Sequence, residues 1–527
     1  MFVTEYPQRG EILDRRGRVL GASNKFKTVK AEPQIIKDAV KPAGLLAPIL
    51  DIEGKELYKK ITQSRNPGSV KLKENASEEE CREARKIYGI GVDTYWRRYY
   101  PMGSLASHIV GFTSIDNRGL GGVELECNSQ LTGHPGRDIL LADSRRRPIR
   151  LLQQNERLED GSGVILTIDA TIQQFVRSAL LEQYEAFEAE AAMAIVAEPH
   201  TGAILAMVSL PDFDPEHISS ADPESLRNRA ITDQFEPGSI FKPITVAIAL
   251  DAGLVNKTEK IYCEDGHYYG KGFGKIGEYR NHRYGKMTIK EILVKSSNIG
   301  VAKIGQRLGK DRLYTGIRRF GFGKRTGIDL PGEVEGFMWP VDKWTGYSVT
   351  RVPFGQEITV TAIQVVRAFC ILANGGHAVQ PFVVRAMVDH KGKITKLKRQ
   401  NLPSVGYVIK PEVAKWVVGD ALAAVVNDGT GKRARLDKWQ IFGKTGTANI
   451  AKSNERGYSD SDYIASFVAG GPADEPRIVV LVSVRKPNKK LGKGYTGGAV
   501  ASPVAAKIIE KTLTYLDVPS RVVEDQD

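Results

Sequence analysis

The sequence predicts an α/β (α+β) fold in two domains, and three observations carry that prediction. The chain has 527 residues, too many for one small domain. Its residues are 41% hydrophobic and 26% charged, an ordinary globular balance with ample apolar surface for a core. Strand-like and helix-like stretches come in groups, which suggests a sheet covered by helices from both ends of a domain. The polar stretch NERLEDGSG at 155–163 is the best boundary. It divides the chain into an N-terminal domain at 1–158, a larger domain at 159–518 and a tail at 519–527.

The N-terminal part reads as mixed. In RGEILDRRGRVLGAS (9–23), the cluster Asp14–Gly17 is a polar turn between two short strands. Helical patterns follow around 34–63 and 77–88, then the glycine-rich RGLGGVELECNSQLTGHPGRD at 118–138.

Past the boundary the pattern is more regular. VILTI (164–168) reads as a strand. Residues 169–187 form an amphipathic helix with Ile172, Phe175, Val176, Ala179 and Leu180 on one face. Residues 191–210 give two strands around a Pro-His-Thr-Gly turn. ITVAIALDAGL (244–254) is apolar nearly all round and so predicts a buried central helix. WQIFGKTGTANI (439–450), DYIASFVAGG (462–471) and RIVVLVSVRK (477–486) are strands. A last helix follows at 502–516, with Pro503 near its start, where a missing N–H does no harm.

Composition narrows the function classes. The net charge of +13 is spread along the chain without a nucleic-acid-binding motif, so a basic solvated surface is preferred to a nucleic-acid partner. The four cysteines, Cys81, Cys127, Cys263 and Cys370, form no CxxC and suggest neither a disulfide framework nor a zinc ribbon. Cys263, His267 and His282 read better as unrelated loop residues than as metal ligands, and no metal or cofactor is expected. No apolar run approaches the ~18 residues of a membrane helix, and the first residues resemble neither a signal peptide nor an anchor.

The chemistry starts at FEPGSIFKPIT (235–245). If Ser239 opens a helix, Lys242 shares its face one turn on. Pro243 then falls in the first turn, where backbone N–H groups lack partners anyway. The partial positive charge of a helix N-terminus favours an alkoxide at Ser239 and disfavours an ammonium at Lys242. To serve as a base at neutral pH the amine must fall roughly 3 pKa units, which burial and a second cation can supply. Ser239 as a simple helix cap beside a solvated lysine is the plainer reading of this pair alone. A second Ser-x-x-Lys, Ser483 to Lys486, lies on a strand, where residues three apart face opposite ways.

The second cation is Lys444 in FGKTGTANI, the chain's one Lys-Thr-Gly. Alternation on a strand places Thr445 and Thr447 on one face and Lys444 on the other. Gly446 leaves room for another backbone, as at an edge receiving a peptide strand. The threonine hydroxyls are then placed for a terminal carboxylate. Between these motifs lie Ser296, Ser297 and Asn298 in KSSNIG. Each motif alone is weak, with a helix cap or a strand bulge as its plain alternative. Their order within one domain is far more specific.

Together they resemble the signature of penicillin-recognising serine acyltransferases. RGEILDRRGRVLG, GLGGVELECNSQLTGHPG, HTGAILAMVSLPDFDP, FGFGKRTGIDLPGE, GTGKRARL and GYTGGAVASPV extend the resemblance, over about 8–516, to class B penicillin-binding proteins of the division and sporulation branch. The resemblance implies a penicillin-binding/β-lactamase-like transpeptidase domain, a central antiparallel sheet flanked by helices, on an N-terminal pedestal. It implies that Ser239 attacks the penultimate D-alanine carbonyl of a stem peptide and Lys242 takes its proton. Ser296 relays a proton to the leaving amine beside Lys444. Asn298, with Ser297, Thr445, Gly446 and Thr447, binds the peptide, and the N–H groups of Ser239 and Thr447 form an oxyanion hole. The implied partners are peptidoglycan stem peptides (a D-Ala-D-Ala donor and an amine acceptor), β-lactams that acylate Ser239, and membrane proteins of the division machinery, including a glycosyltransferase. The implied location is outside the cytoplasmic membrane, held by a single N-terminal anchor that is not part of this sequence.

Three alternatives share features of this site. A serine β-lactamase is much smaller and lacks a pedestal. A β-lactam sensor needs membrane spans and signalling machinery. A catalytically idle division scaffold does not need the intact set of Ser239, Lys242, Ser296, Asn298, Lys444 and Thr445.

Overall fold

In a computed structural model, residues 2–64, 66, 68–142, 148–397, 406–452 and 457–520 are described. Residues 521–527 of the expected tail lie outside them.

The centre is a five-stranded antiparallel sheet: β1 (Ala191–Ala197), β2 (Ile204–Leu210), β3 (Phe442–Ala451), β4 (Tyr458–Gly471) and β5 (Ile478–Arg485), in the order β2-β1-β5-β4-β3. β1, β2 and most of β5 are buried on both faces, so they read as continuous apolar runs rather than alternating ones.

One face is covered by the two helices expected from opposite ends of the domain, α1 (Ala170–Ala186) and α5 (Ser502–Tyr515). Ile172, Val176, Leu180, Ile508, Ile509 and Leu513 pack there on Val196, Val480 and Val482. Phe175 is only half-buried and meets Tyr515 edge to face. The other face carries α2 (Lys242–Asp251), α3 (Asn298–Arg319) and α4 (Ala362–Ala373). Residues 242–250 of α2 are all buried, which is why its sequence shows no polar face.

The N-terminal part is less local than its sequence suggests. The strand after the Asp14–Gly17 turn is long, Val19–Ala31, and pairs with Val70–Lys73 and Ile90–Tyr99. The helical region at 34–63 is two helices, Val40–Leu50 and Gly54–Thr62, whose Leu46, Leu50, Leu57 and Ile61 share a small core. Gly163–Leu166, expected as a strand of the larger domain, lies outside the central sheet. It pairs in parallel with Ile12–Leu13 and antiparallel with Val384–Val388. One sheet thus runs from the N-terminal part into the C-terminal part.

Charged side chains tie the N-terminal part together and join it to the larger domain. The buried Glu124 carboxylate takes Arg9 Nε at 2.6 Å and Arg98 Nε at 2.5 Å. Arg18 bridges Asp14 (2.7 Å) and Asp169 (2.6 Å). Asp169 caps α1 through the Thr171 N–H and also accepts from Tyr515 Oη at 3.1 Å. Asp14, which also accepts from the Ala170 N–H at 3.1 Å, and Arg18 of the RGEILDRRGR segment therefore hold the two parts together, while Arg9 ties that segment to the rest of the N-terminal part.

Candidate active site

Ser239 lies in a 3-10 turn, Gly238–Phe241, that runs into α2 with Pro243 in its first two positions. In a 3-10 turn, side chains at i and i+3 eclipse, so Ser239 and Lys242 share a face even though the α-helix proper starts at Lys242. The turn is held from behind. Gly238 N–H donates to Gly355 O at 3.0 Å, and both glycines have positive φ, +55° and +82°. A Cβ on Gly355 would come within 2.3 Å of Gly238 O.

β3 is the edge strand of the sheet, as the Lys-Thr-Gly reading expects. It presents Lys444 and Gly446 to the turn and Thr445 and Thr447 to the opposite side. A Cβ on Gly446 would lie 2.9 Å from Ile240 Cγ2 and 3.2 Å from Pro237 O. Gly446 therefore admits the turn that carries Ser239, a nearer requirement than the approach of a substrate strand. Thr445 Oγ1 bonds Thr430 Oγ1 at 2.7 Å, and Thr447 Oγ1 accepts the Gly497 N–H at 3.1 Å.

The third motif closes the site from the start of α3. Lys242 Nζ donates to Ser296 O (2.5 Å), Ser296 Oγ (3.2 Å) and Asn298 Oδ1 (2.7 Å). Lys444 Nζ reaches the same Ser296 Oγ at 3.0 Å. The amine of Lys242 thus turns to this turn, where three acceptors match its three donors, and not to the Ser239 hydroxyl. Ser296 has φ +59°, an uncommon conformation for a residue with a side chain.

Both lysines are wholly buried. Burial pushes the Lys242 amine down to about 7, against an upward pull from Glu278. Lys444 is driven well below the usual lysine range, first by burial and then by the charge of Lys242. Burial is the main cause for both amines, and each lies close enough to the other, at Ser296 Oγ, for their charges to oppose one another.

Ser297 is also corrected. Its side chain is fully buried, donates to Glu278 Oε1 and caps the Gly300 N–H at 3.0 Å, so it organises the helix start and does not face the groove. Asn298 uses both ends of its amide, accepting from Lys242 and donating to Gly277 O at 3.0 Å. The second Ser-x-x-Lys plays no part: Ser483 bonds Ser466 inside the sheet, and Lys486 pairs with Glu190.

Residues 192–510 match the family "Penicillin binding protein transpeptidase domain", and residues 4–166 match "Penicillin-binding Protein dimerisation domain". The chain belongs to the class B penicillin-binding proteins. It is 33% identical to stage V sporulation protein D of Bacillus subtilis, over 98% of this chain and 79% of that one. It is 30% identical to the peptidoglycan D,D-transpeptidase FtsI of Escherichia coli, over 97% and 84%. A solved peptidoglycan synthetase from Bifidobacterium adolescentis superposes with a TM-score of 0.80 at 26% identity, covering 100% of this chain and 98% of that one. Penicillin binding protein 3 of Mycobacterium tuberculosis, solved with aztreonam, gives 0.75 at 26% identity over 98% of both chains.

This penicillin-binding protein contains supporting residues that no motif singled out. Glu278 sits behind the Ser296–Asn298 turn. Glu236, three residues before Ser239, accepts from Tyr458 Oη at 2.9 Å and from the Glu357 N–H at 3.0 Å, which ties the start of β4 to the loop bearing Gly355. Burial holds the Glu236 carboxyl above its ordinary range. A glutamate before Pro-Gly-Ser was visible in the sequence, but its partners are more than a hundred residues away. No helix among the described residues is long and apolar enough to cross a membrane.

Proposed function

We propose that this chain is a peptidoglycan D,D-transpeptidase that works through a Ser239 acyl-enzyme. The observation that carries the reading is the meeting of Lys242 and Lys444 at Ser296 Oγ, beneath the turn bearing Ser239 and beside the free edge of β3. A neutral Lys242 no longer needs three acceptors and is free to take the Ser239 proton as the hydroxyl oxygen attacks the penultimate D-alanine carbonyl. In the unliganded site such catalytic hydrogen bonds are commonly long or unformed.

The N–H groups of Ser239 and Thr447 stabilise the oxyanion, at about 2.7–4 kcal/mol per donor. Collapse breaks the peptide bond. The terminal D-alanine leaves as an amine, protonated from Lys242 by way of Ser296 with Lys444 beside it. The amine of a second stem peptide then attacks the ester, loses a proton to Lys242 and restores the Ser239 hydroxyl. Thr445, Gly446 and Thr447 receive the donor's terminal carboxylate, and Asn298 its amide. A β-lactam acylates Ser239 in the same way and stays, because its opened ring keeps the leaving nitrogen attached.

Similarity to a peptidoglycan D,D-transpeptidase and to a stage V sporulation protein supports a role in septal or spore wall synthesis; that role places the chain at the outer face of the cytoplasmic membrane, beside division membrane proteins that include a glycosyltransferase. Intact-mass spectrometry after incubation with a penicillin tests the chemistry. The wild type gains one covalent adduct and Ser239→Ala gains none. Labelling of the Ala variant at the same site and rate overturns the reading.

A further inference from the structure

Glu278 directly follows the hairpin His267–Gly270/Gly274–Gly277 and is nearly buried, 6% exposed. Its Oε1 accepts from Ser297 Oγ (2.5 Å) and the Ile299 N–H (3.2 Å), and its Oε2 accepts from the Asn298 N–H (2.7 Å). These N–H groups are the first donors of the 22-residue helix α3, which have no intrahelical partner. Among the described residues no lysine or arginine forms an ion pair with this carboxylate. Its charge instead acts across the turn on Lys242.

We propose that Glu278 is a positioning residue for acyl transfer, whose carboxylate both locks the Ser296–Asn298 turn and sets how readily the Lys242 amine gives up its proton. The inference rests on the reading of Lys242 as the base. Two observations carry it. Ser296 holds a positive φ that persists only where its surroundings over-determine it, and Glu278 clamps the three residues that follow. The two buried amines at Ser296 Oγ also lie across the turn from this buried carboxylate, which has no ion pair among the described residues. With Glu278 ionised the pocket has a counter-charge. Without it, nothing in the pocket opposes the burial that strips Lys242 of its proton.

The other charged and titratable groups facing Glu278 do not take over this role. Cys263 and Tyr284, on the flanking segments, are both pushed up by burial and stay neutral around pH 7. Lys303, further along α3, is paired with Glu264. Arg280 stacks over Tyr279 at 5.4 Å.

The test is the second-order rate of acylation by a fluorescent penicillin, followed across neutral pH for the wild type, Glu278→Gln and Glu278→Asp. Glu278→Gln keeps the shape and loses the charge. Its acid limb moves to lower pH by roughly 1 unit, the scale on which a nearby opposite charge shifts an amine. Its plateau falls roughly 10–100-fold as the turn loosens. Glu278→Asp keeps the charge, lowers the plateau and leaves the limb where it is in the wild type, which separates charge from packing. A Gln variant with a lower plateau and an unmoved limb reduces Glu278 to a helix cap and overturns the inference, while Ser239 labelling leaves the parent reading intact. A wild type that forms no adduct overturns both.

Discussion

Lys242 and Lys444 meet at one oxygen, Ser296 Oγ, at 3.2 and 3.0 Å, and neither is exposed to water. Two ammonium groups so placed repel each other without a solvent screen, and the hydroxyl between them can accept from both but must donate elsewhere. The arrangement favours the loss of one proton from the pair.

Lys242→Arg keeps a positive charge that cannot be removed at working pH. Acylation of Ser239 falls by about 10²–10⁴-fold, the usual contribution of a general base. Stopped-flow labelling with a fluorescent penicillin measures it. An Arg variant acylated at the wild-type rate removes Lys242 as the base.

With Lys242 lowered to about 7, the acylation rate rises with pH through about 7 and then levels off. Stability changes in the same direction. The unfolded chain keeps this proton up to the ordinary lysine value of 10.5, and the folded chain does not. The unfolded state therefore binds more protons between about 7 and 10.5, and stability rises with pH across that window. Lys242→Met loses this part of the slope, which urea midpoints at neutral and alkaline pH compare directly.

Gly355→Ala places a Cβ 2.3 Å from Gly238 O at a φ of +82°. Relief requires moving the turn that carries Ser239. Stability falls by more than about 1 kcal/mol, and penicillin acylation slows with it. Ala tolerated at full rate would mean that the contact between these glycines does not hold the nucleophile.

Glu124→Ala leaves Arg9 and Arg98 buried without their carboxylate. Removal of one partner of a buried pair costs about 3–5 kcal/mol. The melting temperature drops by several degrees, while Glu124→Gln, which can still accept hydrogen bonds, loses less. Calorimetry of the three proteins decides the order.

The central sheet, its covering helices and the three motifs were legible because local patterns encode them. Apolar runs mark β1, β2 and β5, an all-apolar stretch marks α2, and Lys444 and Ser239 stand at fixed spacings from their neighbours. Glu278 and the Glu236–Tyr458 contact were not legible, because each depends on partners brought in by long-range folding. The depth of Lys242 was hidden for the same reason: spacing shows that Ser239 and Lys242 share a face but not how deep the amine lies. Gly446 was read for a substrate's backbone, whereas its close neighbours are Ile240 and Pro237 of the protein itself.

The strand Gly163–Leu166 bears on any attempt to dissect the molecule. A fragment cut at the polar stretch before it loses Ile12–Leu13 from its edge, and the bared backbone groups become a template for sticking to other chains. The same cut removes Arg18 from Asp169, at the start of a helix that covers the main sheet. A catalytic half made for assay is therefore better expressed with residues 9–31 retained or supplied in trans.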